Sequence, residues 1–154
     1  MASRKLHRDR VGRLDRVSQK GNNCLVSATP EKPTLKPLEW VGSSKKDLDA
    51  FPGRARREAG FALYLAQIGK KAVNAKPLRG FGDAGVLEVL ADHDGSAYRA
   101  VYTIRFAEAV FVLHAFQKKS KKGIATPKAD IDLVRRRLKA AAERYKQLYR
   151  SSGS

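Results

Sequence analysis

Along residues 1–35 the apolar positions follow neither the period of 2 expected of a strand nor the period of 3.6 expected of a helix, and Pro30 and Pro33 close the stretch. Without a repeating apolar face nothing holds such a segment against a core, so residues 1–35 read as a disordered basic extension. A nucleic-acid-binding arm and a misassigned translation start both account for it, with Val26 or Leu35 as alternative initiation positions. Residues 36–150 read as one folded domain, and residues 151–154 as a disordered tail.

The pattern tightens from Pro37. Leu38 to Gly42 is a short strand candidate, and Ser44-Lys45-Lys46-Asp47 has the spacing of a capping box, in which Ser44 and Asp47 satisfy free backbone N–H groups at a helix start. Pro52 interrupts or restarts that helix. Ala55, Ala59, Ala62, Leu65 and Ala66 then recur on one side of a second helix that ends at Gly69. Two successive helices predict a helical hairpin.

Gly80, Gly82 and Gly85 look superficially like a phosphate-cradling loop, but a strand follows them where the dinucleotide fingerprint requires a helix. Three strands are predicted at Val86–Ala91, Ala97–Phe106 and Ala109–Phe116, separated by the polar turn Asp92 to Ser96 and a short break at Ala107-Glu108. Adjacent antiparallel pairing is their simplest arrangement. Thr126 then caps a helix whose first turn begins with Pro127, and Ile131, Val134, Leu138, Ala141, Tyr145 and Leu148 line its apolar face. The opposite face carries Arg135, Arg136, Arg137 and Lys139. The order strand, two helices, three strands, helix defines an α+β fold: a small antiparallel-rich sheet packed by a helical hairpin and a C-terminal helix.

Charge sharpens this picture. The 154 residues include 32 Lys and Arg against 15 Asp and Glu, a net charge of +17, which points to a polyanionic partner. Residues 1–35 hold only 8 of those basic and 3 of those acidic residues, so the folded part is itself strongly basic. The single cysteine, Cys24, excludes an internal disulfide and a cysteine-based zinc site, which suits a reducing cytoplasm. No apolar run reaches the roughly 20 residues of a membrane span, and the basic N-terminus lacks the apolar core of a signal peptide.

Candidate chemistry follows from strand alternation. Ala97, Arg99, Val101 and Thr103 share one face of their strand, while Tyr98, Ala100, Tyr102 and Ile104 share the other; His114, Phe116 and Lys118 share a face of the last. Arg99 is a charge within a packable strand, so it either pairs with Glu88 or lines a groove that receives a phosphate. Lys118, Lys119, Lys121 and Lys122 form a dense cationic run behind His114, with Tyr98, Tyr102 and Phe116 as rings on which bases stack. His114 is either a hydrogen-bonded core histidine or a proton-transfer group. His7 and His93 lie elsewhere, no carboxylate cluster accompanies any of them, and no metal site or cofactor is expected. Metal-free RNA cleavage needs only an aligned 2′-hydroxyl, cations on the phosphate and a group that moves protons.

The run Val112-Leu113-His114-Ala115-Phe116-Gln117-Lys118-Lys119-Ser120, the upstream Tyr98-Arg99-Ala100-Val101-Tyr102 and the closing Thr126-Pro127 helix with Ile131 and Arg135-Arg136-Arg137-Leu138 resemble the phage-related killer-protein branch of the RelE/HigB toxin superfamily. The likeness extends back through Lys76-Pro77-Leu78 and Leu87-Glu88 to Leu38-Glu39-Trp40, covering about residues 36–149. It implies a compact RelE-like fold and a toxin of a type II toxin–antitoxin system: a ribosome-dependent mRNA endonuclease, with a cognate antitoxin, often of helix-turn-helix type, as second partner. Arg99 matches the family's phosphate-contacting strand arginine, and Lys118 or Lys119 a second basic catalytic residue. Lys121 and Lys122 then position the RNA backbone. Relatives carry lysines where this chain has Glu88, and no tyrosine follows Lys122 closely, so His114 and Tyr102 are the proton-transfer candidates by position. The contrasting reading is a non-catalytic basic protein that represses transcription with its antitoxin or blocks translation by occupancy.

Overall fold

The computed structural model describes residues 33–118 and 126–150 of the chain. The elements in chain order are β1 (Leu38–Trp40), α1 (Ser44–Asp49), α2 (Gly53–Gln67), β2 (Ala75–Pro77), β3 (Val86–His93), β4 (Ser96–Thr103), β5 (Val110–Lys118) and α3 (Lys128–Tyr145), closed by a π-helical turn at Lys146–Arg150. All belong to one unit, Thr34–Ser154. The sheet order is β1-β5-β4-β3-β2, with β1 parallel to β5 and every other pair antiparallel. The α+β class is as the sequence implies. β2 escapes the sequence because three residues ending in a proline carry too little alternation to register; Pro77 is tolerated because β2 is an edge strand.

Each face of the sheet buries its own core. On one side Leu87, Val89, Ala91, Ala100, Tyr102, Val112 and Ala115 pack beneath the α1–α2 hairpin, whose small residues Ala55, Ala59, Ala62 and Ala66 let the helices sit close. On the other side Val86, Val101, Phe111 and Leu113 meet Val134 and Ala141 of α3. A β-bulge decides which residues go where. Val101 pairs with His114 but Tyr102 pairs with Val112, so Leu113 is an extra residue in β5. A bulge places two successive side chains on one side of the sheet, and here Leu113 and His114 both meet α3 or its leading turn.

Three local expectations change. The first helix is led by Ser43, whose hydroxyl bonds Asp47 Oδ2 at 2.8 Å, while Ser44 is buried and donates to the Val112 carbonyl at 3.1 Å. The expected capping box does not form: Ser43, the N-cap, makes no side-chain bond to the helix backbone, and Ser44 is drawn toward a sheet carbonyl instead of its own helix. Thr126 does not cap α3, whose N-cap is Pro127; its hydroxyl reaches across to Glu88. Arg137 leaves the outer face of its helix and donates to the Leu113 carbonyl at 2.9 Å and the Ser43 hydroxyl at 3.0 Å. Pro52 and Gly69 act as expected: Pro52 is the N-cap of α2, and Gly69 beyond its end adopts φ +80°.

Candidate functional site

Cross-strand register places Lys76, Glu88, Asp92, Arg99, Val101, His114, Phe116 and Lys118 on the α3 side of the sheet. α3 packs over the end of this face that carries Val101, Phe111 and Leu113. The other end carries the polar residues, and the segment leading into α3 reaches it through Thr126 and Asp130.

Glu88 is the hub of that end. Its carboxylate is only 5% exposed, which a charge tolerates only with partners. Oε1 accepts the Thr126 hydroxyl at 2.8 Å and lies 3.8 Å from Arg99 Nε; Oε2 lies 4.0 Å from Lys76 Nζ. The Arg99 side chain is itself 12% exposed, and its Nη1 donates at 2.9 Å both to Asp92 Oδ1 and to the Tyr98 carbonyl. Of the two alternatives that the sequence leaves for Arg99, the pairing with Glu88 is therefore present. Yet Asp92 is largely exposed, so its hold on this guanidinium is that of a solvated carboxylate, which an anion is able to displace.

His114 is buried and pairs through Nε2 with Asp130 Oδ1 at 2.8 Å. An ionised carboxylate only accepts, so Nε2 is the donor of this pair, while Nδ1 is buried with no hydrogen-bond partner among the described residues. Phe116 stacks on the imidazole, centroids 4.8 Å apart and planes at 21°, which fixes the ring from its flat side. Lys118 is buried at the end of β5 and has no carboxylate partner among the described residues. A cation in that state raises the local potential for an anion.

Arg99, His114, Phe116 and Lys118 are thus brought together. Tyr98 and Tyr102 are not: both lie on the opposite face, Tyr98 against Phe51 with centroids 5.0 Å apart and Tyr102 fully buried beneath the helical hairpin. Burial pushes the Tyr102 phenol up to about 12, and its hydroxyl has no hydrogen-bond partner among the described residues. Tyr102 cannot relay protons at this site, and Tyr98 cannot offer it a stacking ring. Lys119, Lys121 and Lys122 lie outside the described residues. Sequence reasoning missed Asp130, Thr126 in this role, Asp92 and Lys76. Asp130 carries a faint signal as an acid in the first turn of a helix, but nothing in the sequence says which strand residue it faces.

Beyond this site, Arg105, Arg135, Arg136 and Lys139 surround an apolar hollow formed by Phe81, Leu138 and Ala142, with the Arg135 guanidinium 5.5 Å from the Phe81 ring centre. Among the described residues no group of three or more His, Cys, Asp or Glu is placed to hold a metal ion, and no helix is long and apolar enough to cross a membrane.

A small α+β sheet protein with a cationic, histidine-containing face is the class these features define. The family model for Phage derived protein Gp49-like matches residues 46–139, and the chain belongs to that family. It is a RelE-like toxin family, which bears out the resemblance carried by the strand and terminal-helix motifs and makes the chain a toxin-type protein of the toxin–antitoxin class. Among solved structures, the chain is similar to a mutant of the Escherichia coli toxin RelE in the free state, with 17% identity over 70% of this chain and 97% of that one and a TM-score of 0.44. It is also similar to a chain of the Mycobacterium tuberculosis toxin–antitoxin complex RelBE2, with 21% identity over 58% of this chain and 98% of that one and a TM-score of 0.37. No curated protein matches it significantly.

Proposed function

We propose that this protein is a ribosome-dependent mRNA endonuclease, the toxin partner of a cognate antitoxin, and that it cleaves without a metal. The observation that carries this reading is the convergence of Arg99, His114 and Lys118 on one sheet face, around a partly open guanidinium. In the reaction the 2′-oxygen bonds to the neighbouring phosphorus and the bond from phosphorus to the 5′-oxygen breaks. The 2′-proton leaves to a base and a proton reaches the departing 5′-oxygen. Arg99 and Lys118 stabilise the charge that gathers on the phosphorane oxygens. His114, oriented by Asp130, is the proton acceptor by position, and binding of RNA has to uncover its enclosed Nδ1. The ribosome supplies alignment of the strand, which a shallow cationic face cannot enforce alone. In this reading the antitoxin, of helix-turn-helix type as in many such pairs, silences the protein by covering the face.

Primer extension on mRNA with and without ribosomes tests it. Cuts should appear only with ribosomes and fall by about 100-fold or more in Arg99→Ala, the scale of losing a preorganised charge-stabilising donor. Two features favour a second reading: Arg99 is held by Glu88 and Asp92, and His114 Nδ1 is enclosed, as suits a protein that blocks translation or represses transcription by binding alone. Folded protein that makes no cuts yet still inhibits translation would establish that alternative and end the cleavage reading.

A further inference from the structure

Glu88 is more than the counter-ion of Arg99. A cavity of about 330 Å³ opens between the segment that runs from β2 and the start of α3, and its lining includes Lys76, Leu78, Arg79, Glu88, Thr126 and Ile131. That volume is at the small end of ligand pockets, which run from about 300 Å³ upward. Its walls are divided by chemistry. Leu78 and Ile131 are apolar, Lys76 and Arg79 bring cations, and Glu88 supplies a buried carboxylate with one occupied and one open oxygen. Oε1 is used by Thr126, whereas among the described residues Oε2 has only Lys76 Nζ at 4.0 Å, beyond hydrogen-bond length.

We propose that this cavity receives a nucleobase, guanine before all others, from the nucleotide adjoining the phosphate held at Arg99. The proposal rests on the reading of RNA as the ligand of this face, since Arg99 Nε lies 3.8 Å from the same carboxylate. An ionised carboxylate only accepts hydrogen bonds. Guanine presents two neighbouring donors, its N1–H and its 2-amino group, to such an acceptor. Adenine and cytosine each present one amino donor beside an acceptor nitrogen. Uracil presents one donor flanked by two carbonyls that repel a carboxylate. Leu78 and Ile131 give the ring apolar contact, while Lys76 and Arg79 attract the phosphate that accompanies it.

Calorimetric titration of the full chain with the four nucleoside 5′-monophosphates and with inosine 5′-monophosphate tests this. Guanosine monophosphate should bind tighter than uridine monophosphate by about tenfold or more, the scale of one good base-edge recognition. Inosine monophosphate, which lacks the 2-amino group, should fall between them. In Glu88→Gln the four affinities should converge. In Ile131→Trp, which fills the cavity, binding of all four should be lost while circular dichroism and melting temperature stay near those of the parent. Equal affinities, no binding, or a guanine preference that survives either variant would overturn the proposal. If Glu88→Gln fails to fold, Ile131→Trp decides. Binding of mononucleotides needs neither ribosome nor cleavage, so loss of cleavage with the preference intact would sink only the enzymatic reading.

Discussion

Tyr102 and Arg99 lie on neighbouring stretches of one strand and face opposite ways, and their environments differ accordingly. Arg99 keeps partial access to solvent and two carboxylates. Tyr102 is sealed under the helical hairpin with a hydroxyl that has no hydrogen-bond partner among the described residues, and burial raises its pKa to about 12. A tyrosine whose pKa is raised on folding holds its proton more tightly in the native state. Its contribution is therefore complete below the unfolded value near 10 and is lost as the pH climbs from about 10 to about 12. Tyr102→Phe removes a buried hydroxyl that makes no hydrogen bond among the described residues. At neutral pH its stability should stay within about 1 kcal/mol of the parent or exceed it. Denaturant melts from pH 9 to 12 should show a shallower alkaline decline in the variant, and an unchanged decline would assign the loss to other groups. At Asp130, replacement by Asn leaves a hydrogen-bonding partner for His114 but removes the charge that orients and stabilises its imidazolium, so ribosome-dependent cleavage should fall about 10-fold or more. A single-turnover rate equal to that of the parent would leave Asp130 a purely structural residue.

At the scale of elements, α3 is fastened to the sheet by one side chain that departs from helical patterning. Arg137 passes over Gly42, where an added Cβ would come within 3.0 Å of the guanidinium, and joins α3 to the Leu113 carbonyl in the bulge and to Ser43 ahead of α1. Arg137→Ala leaves the Leu113 carbonyl without this donor and should cost about 1.5–3 kcal/mol, the usual range for hydrogen bonds from a charged group. The exposed neighbour Arg136→Ala should stay within about 0.5 kcal/mol of the parent. Chemical denaturation of the two variants checks the contrast, and equal losses would mean that Arg137 contributes no more than surface charge. The bulge itself turns His114 toward α3 in company with Leu113, so the site and the core on that side share one irregularity.

For the whole molecule, the net charge of +17 predicts binding of single-stranded RNA that weakens steeply with salt, by a slope of about 0.7 per phosphate contact in a logarithmic plot. The hollow bounded by Arg105, Arg135, Arg136 and Lys139 is lined by Leu138 and Ala142 of α3 together with Phe81. Arg136→Glu together with Lys139→Glu should lower both affinity and slope in filter-binding titrations, while leaving the fold intact. An unchanged slope would remove this hollow from the RNA path. Since Thr34–Ser154 forms a unit by itself, a chain starting at Thr34 should melt and cleave as the full chain does. A folded but inactive truncation would show that residues 1–33 take part in function.

The alternation and helical periods of this sequence were enough to define the α+β order, the three long strands, the helical hairpin and the terminal helix, because those signals are local and repeat every two or 3.6 residues. They also put His114, Phe116 and Lys118 on one face and Arg99 opposite in parity to Tyr102. What periodicity cannot express is which face of one strand meets which face of the next. That depended on the register of β3, β4 and β5 and on the bulge at Leu113, set by long-range pairing. The same limit hid β2, the parallel seat of β1 beside β5, the turn of Arg137 toward the sheet, and the reach of Thr126 and Asp130 to Glu88 and His114. These contacts join residues far apart in the chain, and a buried charge chooses its partner from whatever the tertiary fold brings within reach. Composition and period determined the kind of fold and the positive character of its partner-binding surface; only tertiary packing decided which of the basic and aromatic residues share a site.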